Sequence, residues 1–275
     1  MAHIRLPVSS YQQFDADFAC DVPGEGYAGW QQAEVELDLS RTAIAVMHAW
    51  DAGTREQYPG WHRAVEYIPR AQAIAAAVFP PLLHAARQHR LNLFHVVGGG
   101  DYYKDYPGYR RASGLAGSQP PLEQAASDPS LEALQRFRAR HVFVGTHNQA
   151  DVDAGFRRLD FAPEARPAGD EGIAENAAQL FAWCKAAGVN HLIDAGFAIN
   201  WCLLMSPGGM LDMSRRGVMC SVFRQAVTAV ENKESARGEL HKEEALWRVS
   251  LAFGFVFDVG AFLNALRAAR TTLTP

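Results

Sequence analysis

Four short apolar runs constrain this chain more than any other feature: "TAIAVM" (42–47), "LNLFHVV" (91–97), "VNHLIDAG" (189–196) and "GVMCSVF" (217–223). Each has the length of a strand, and none alternates polar and apolar residues as a half-solvated strand does. Strands apolar on both faces are buried on both, as in a parallel sheet covered by helices. The intervening segments carry helical periods. Ala64 to His89 repeats Ala, Ile and Leu at threes and fours, with Pro80-Pro81 breaking or restarting the helix. Ile173, Ala177, Leu180, Phe181 and Cys184 predict one helix face, with Lys185 in the last turn and Gly188 as the stop. Helices are also predicted from about Trp201 to Arg216, Glu243 to Leu251 and Val259 to Arg270, with a strand at "FGFVF" (253–257). This alternation predicts a mainly parallel α/β sheet with right-handed crossovers, in which "TAIAVM" and "HLIDAG" lie side by side at the centre. Two segments are less regular. "HVFVGT" (141–146) reads as a further strand, and 101–140, rich in Tyr, Gly, Pro and Ser, reads as a long excursion without a sustained period.

At 275 residues the chain suits one large α/β domain, and no linker divides it. Six tryptophans and fifteen phenylalanines argue for a packed core rather than disorder. A net charge of -4, with arginines scattered, disfavours nucleic acid and anionic membrane surfaces as partners. The N-terminal segment is polar where a signal peptide would be apolar, and no apolar run approaches a membrane span, so a cytoplasmic location is expected. Cys20, Cys184, Cys202 and Cys220 show no CxxC spacing, which predicts reduced thiols rather than a disulfide framework or a thiolate metal site.

In parallel sheets ligands bind beyond the carboxyl ends of the strands, where strand order reverses. That rule selects His48 and Asp51, the Gly98–Asp101 loop, and Asn200 with Cys202. If Asn200 caps the helix that follows, Cys202 sits beside unpaired backbone N–H groups that favour a thiolate and can hold an oxyanion. The competing reading is a cysteine that simply packs. His48 can exchange a proton near neutral pH with Asp51 orienting it, or it can be a strand-end histidine bonded only to backbone. Two ligands do not make a metal site, and no HExxH completes one. "GGGD" at Gly98 lacks the spacing of nucleotide-binding loops, so its glycines serve a tight turn or a close backbone approach. No cofactor is expected. Trp50, Tyr102, Tyr103 and Tyr106 are candidates to line a pocket for a flat small molecule, with surface packing as the alternative.

"RTAIAVMHAW" (41–50) and "AAGVNHLIDAGFAINWCLL" (186–204) resemble the opening strand and the nucleophile segment of the isochorismatase-like cysteine hydrolases. The resemblance runs from Arg41 to the C-terminal helix. It implies a three-layer α/β/α domain over 41–275, with 1–40 as an extension packed on it, and frequent homo-oligomerisation. It also implies an Asp, Lys, Cys triad that hydrolyses small amides, related C–N bonds or a vinyl ether. Cys202 matches the nucleophile. His48 stands at the aspartate position, with Asp51 three residues later, and "EARPAGDEGIAEN" holds no lysine, only Arg166. A guanidinium stays protonated and cannot shuttle protons. Two hypotheses follow. One is a divergent hydrolase using Cys202, His48 and Asp51, with Trp50, Asn200 and Tyr102 binding substrate. The other is a catalytically silent relative that binds a ligand or serves assembly.

Overall fold

A computed structural model describes residues 3–271; residues 1–2 and 272–275 of the two expected units lie outside it. Eight strands form one sheet: β1 (His3–Gln12), β2 (Gly29–Asp38), β3 (Thr42–Met47), β4 (Asn92–Val96), β5 (Gly172–Ala174), β6 (His191–Phe197), β7 (Met219–Thr228) and β8 (Val256–Phe257). Their order is β2-β1-β8-β7-β6-β3-β4-β5. β1 pairs antiparallel with β2 and β8, and every other pairing is parallel. β3 and β6 are neighbours inside the sheet, as their double burial requires.

The two faces of the sheet are sorted by the two-residue period of the strands. Ile44, Val46, Ile193, Ala195 and Phe197 face one core, which is closed by Phe79, Leu82 and Phe262. These belong to α3 (Phe79–Gln88) and α10 (Val259–Thr271), with α2 (Ile68–Ala77) alongside. Ala43, Ala45, Met47 and Leu192 face the other, closed by Leu180 of α7 (Ala177–Ala187), Met213 of α8 (Met210–Ser214) and Leu246 of α9 (Leu240–Ala252). Three layers result. α7 begins where the Asn176 side chain accepts from Gln179 N–H and ends at Gly188, which takes the left-handed conformation. Beyond the carboxyl ends of the strands, α1 (Pro59–Ala64) and α6 (Gln149–Phe156) build a smaller cluster around Trp61, Ile68, Val152 and Leu159. Among the described residues no helix is long and apolar enough to cross a membrane.

Several sequence expectations are corrected. "HVFVGT" is not a strand: Arg138 O accepts from both Val142 and Phe143 N–H, closing the end of α5 (Pro129–His141). The excursion contains that helix and α4 (Pro107–Ala116). Their periods are hard to read because α5 buries no residue at all. Ile173 belongs to the edge strand β5 rather than to the helix, and its burial comes from the sheet. The helix expected from Trp201 to Arg216 is broken: a π-type turn spans Ile199–Leu203, and α8 begins only after Pro207 and two glycines. Apart from these corrections, β1 and β2, which precede Arg41, belong to the same sheet.

Asp194 sits on the Leu192 face of β6, 4% exposed, with no hydrogen-bond partner for Oδ2. Burial pushes its carboxyl well above the usual carboxylate range. The native chain therefore keeps a proton that the unfolded chain releases near pH ~4. Native stability falls as pH rises from there until the native carboxyl itself ionises. Asp194→Asn removes the titrating group, so its Tm should gain on the parent progressively as pH rises through that window. A Tm difference independent of pH would contradict the assignment.

Candidate active site

The strand order reverses between β3 and β6. From β3 the chain proceeds to β4 and β5 on one side; from β6 it proceeds to β7 and β8 on the other. A cavity of about 520 Å³ opens at this point, lined by His48, Trp50 and Asp51 after β3 and by Phe197, Trp201 and Cys202 at the end of β6. The close approach depends on Gly196, whose φ is +119° and whose hydrogen faces Met47 O; a Cβ there would lie 1.9 Å from that oxygen.

His48 holds the left-handed region at φ +48°, an uncommon conformation for a side chain of this size, while its N–H donates to Val96 O at 2.9 Å. The ring stacks on Trp50 with centroids 4.6 Å apart. Gly98 faces the ring edge, where a Cβ would come to 3.2 Å from Nε2. One glycine of the "GGGD" loop thus packs against the imidazole. Burial lowers the His48 pKa to about 4, only partly opposed by a hydrogen bond with the Val97 backbone. The imidazole is neutral at neutral pH, and its Nδ1 is buried without a partner.

Cys202 is half-buried within the π-type turn. Asn200 does not cap a helix. Its Oδ1 accepts from Val230 N–H at 2.9 Å and its Nδ2 donates to Val230 O at 2.8 Å, a two-point clamp on the loop after β7. Val230 lines the cavity, so Asn200 reaches the site through it. The cap expected to favour a thiolate is therefore missing, and the neutral His48 supplies no imidazolium in its place. Tyr67 lies close enough to Cys202 to interact electrostatically, after burial has already pushed its phenol up. The remaining thiols differ in setting. Cys184 and Cys220 are buried in the core, and burial pushes the Cys184 thiol up to about 12.

Asp51 does not orient His48. Its Oδ1 accepts from Gly53 N–H at 2.9 Å, closing the turn that leads to α1. Trp50 forms part of the wall and donates from Nε1 to Tyr102 OH at 2.9 Å, so Tyr102 holds Trp50 from behind rather than lining the cavity. Tyr103 and Tyr109 both donate to Glu175. Arg166, the cation nearest in sequence to the missing lysine, pairs with Asp160 at 2.7 Å and donates to Tyr106 OH. It does not line the cavity. The sequence reading missed Trp61, Tyr67, Phe156 and Glu164, all on the wall. They arrive from four separate segments, and no local spacing links them. No group of three His, Cys, Asp or Glu side chains among the described residues is placed to hold a metal ion.

No family model matches this chain, and no curated protein matches it. Solved structures similar to it include a cysteine hydrolase from Pseudomonas syringae pv. phaseolicola, at 14% identity over 85% of this chain and 95% of that one, TM-score 0.49. An isochorismatase family protein from Burkholderia thailandensis is similar at 14% identity over 84% and 97%, TM-score 0.48. A pyrazinamidase/nicotinamidase from Streptococcus mutans is similar at 12% identity over 78% and 99%, TM-score 0.36. The likeness is one of fold.

The Asn200 clamp is directly testable. Asn200→Asp keeps the acceptor, loses the donor to Val230 O and places a charge against that carbonyl. Losing a part-buried hydrogen bond costs ~0.5–1.5 kcal/mol, so the variant should unfold at correspondingly lower denaturant and exchange its 199–204 amide hydrogens faster. Unchanged stability and exchange would show that the clamp does not hold the Cys202 turn.

Proposed function

We propose that this protein is a divergent cysteine hydrolase of small amides, with Cys202 as nucleophile and neutral His48 as its proton acceptor. One observation carries the reading: a half-buried thiol and a half-buried, uncharged imidazole whose Nδ1 is shielded from solvent line the same cavity where the strand order reverses. In the proposed reaction, His48 takes the Cys202 proton as sulfur attacks the carbonyl carbon. The C–N bond then breaks, and the imidazolium returns that proton to the departing nitrogen. Water, deprotonated by His48, cleaves the thioester, and the acid leaves as sulfur recovers its proton. Trp50 supports the substrate as a flat wall, with Tyr102 fixing its ring. Asp51 keeps its turn and takes no proton.

A second reading has its own support. No lysine or arginine lines the cavity and Asp51 is committed to Gly53, which suits a silent relative that binds a ligand there without turning it over. A homo-oligomer and a cytoplasmic location also belong to the proposal. For assembly, the support is α5, which leaves Leu134 67% and Phe137 63% exposed on a helix with no buried residue. Light scattering at micromolar concentration should return a mass above 30.2 kDa.

Two measurements separate the readings. Iodoacetamide should modify Cys202 before Cys184 and Cys220, and Cys202→Ala should abolish turnover of an amide panel, whereas a binding protein shows protection of Cys202 by ligand and no turnover at all. The acid limb of kcat/KM should fall near pH 4, because the base is active only when unprotonated and burial holds its pKa at about 4. His48→Gln should cost about 10²–10⁴-fold in kcat and remove that limb. A limb near pH ~6.5, the ordinary histidine value, would sink the role given to His48.

A further inference from the structure

The wall of the Cys202 cavity carries fixed charge of one sign. Asp51 and Glu164 line it, lysine and arginine do not, and His48 is neutral. No ion pair joins Asp51 or Glu164 to any described cation, and two guanidiniums of flanking segments are already engaged: Arg166 with Asp160, Arg70 with Glu66 and Glu239. The rest of the wall is largely apolar, with two groups of aromatic rings among its aliphatic side chains. Phe156 stands between Trp50, at 5.7 Å, and Trp61, at 5.4 Å, while Phe143 packs on Trp201 at 5.8 Å. Aromatic faces attract cations through their quadrupole, and two solvent-exposed carboxylates without an ion pair add a screened attraction. A carboxylate ligand would meet the opposite conditions, losing water against apolar rings with no cation to receive it.

Resting on the reading of this cavity as the substrate site, we propose that it takes substrates bearing an organic cation, an alkylammonium or protonated amine on an apolar body, and rejects carboxylates. The aromatic cluster holds the apolar body, and Glu164 with Asp51 faces the charge. Glu164 is itself exposed, between exposed Pro163 and buried Ala165, so its side chain can change without disturbing the core.

Binding is measured on the full chain carrying Cys202→Ser, so that no turnover intrudes, by quenching of tryptophan fluorescence with benzyltrimethylammonium, benzyl alcohol and phenylacetate near neutral pH. The cation should bind at least about ten-fold more tightly than phenylacetate, with the alcohol between them. Glu164→Gln should shrink that ratio, and Asp51→Asn, which keeps the acceptor for Gly53 N–H, should shrink it further. Equal or tighter binding of phenylacetate, a ratio indifferent to both substitutions, or no binding by any of the three would overturn the proposal. Because the readout is binding by a chain without the thiol, it stands even if the parent proves unable to turn over any amide. Conversely, failed selectivity beside a reactive Cys202 leaves the hydrolase reading intact.

Discussion

The parallel pairing of β3 with β6 is the constraint on which everything else rests. Its last pair, Met47 with Gly196, brings two strand ends so close that only a residue without Cβ fits. Each strand then ends in a short turn: one delivers His48 and Trp50, the other Trp201 and Cys202. Because the sheet order reverses between these strands, the helices that follow diverge to opposite faces and leave a cleft between them. The cavity is therefore a consequence of topology, and its chemistry comes from whichever side chains the two turns carry.

What those turns carry is unusual in its charge. Burial strips His48 of its proton, and the desolvation that does so outweighs the backbone hydrogen bond that opposes it. A neutral imidazole is a poor partner for a standing thiolate and a ready acceptor for a proton in motion. The same burial leaves Nδ1 without a partner, a cost tolerated beside the left-handed backbone at His48. Strain and an orphaned nitrogen at one residue are what functional sites accumulate when surrounding packing holds them in place.

Much of the fold was legible because double burial leaves a clear trace: "TAIAVM" and "HLIDAG" had to be inner strands, and Gly188 had to stop a helix. Where burial is weak the trace disappears. α5 buries nothing, so its period is faint, and the apolar letters of "HVFVGT" imitate a strand although two of them, Phe143 and Val144, go to the cavity wall. The site was half legible. His48 and Cys202 followed from the rule about strand ends. Asn200 looked like a cap, yet its partner Val230 is thirty residues away, and the pairing is a tertiary choice that no local pattern encodes. Asp51 looked like a partner for His48, but an aspartate two residues before a glycine satisfies the turn first. Trp61, Phe156 and Glu164 come from segments related only by the fold.

The most direct test of the account is intact-mass and peptide analysis of the protein quenched during turnover of an amide substrate. The account predicts a population carrying the acyl group as a thioester on Cys202, formed more slowly when His48 is replaced by Gln, since acylation and deacylation both need that base. Turnover that persists in Cys202→Ala, or an acyl group found on any other residue, would contradict it.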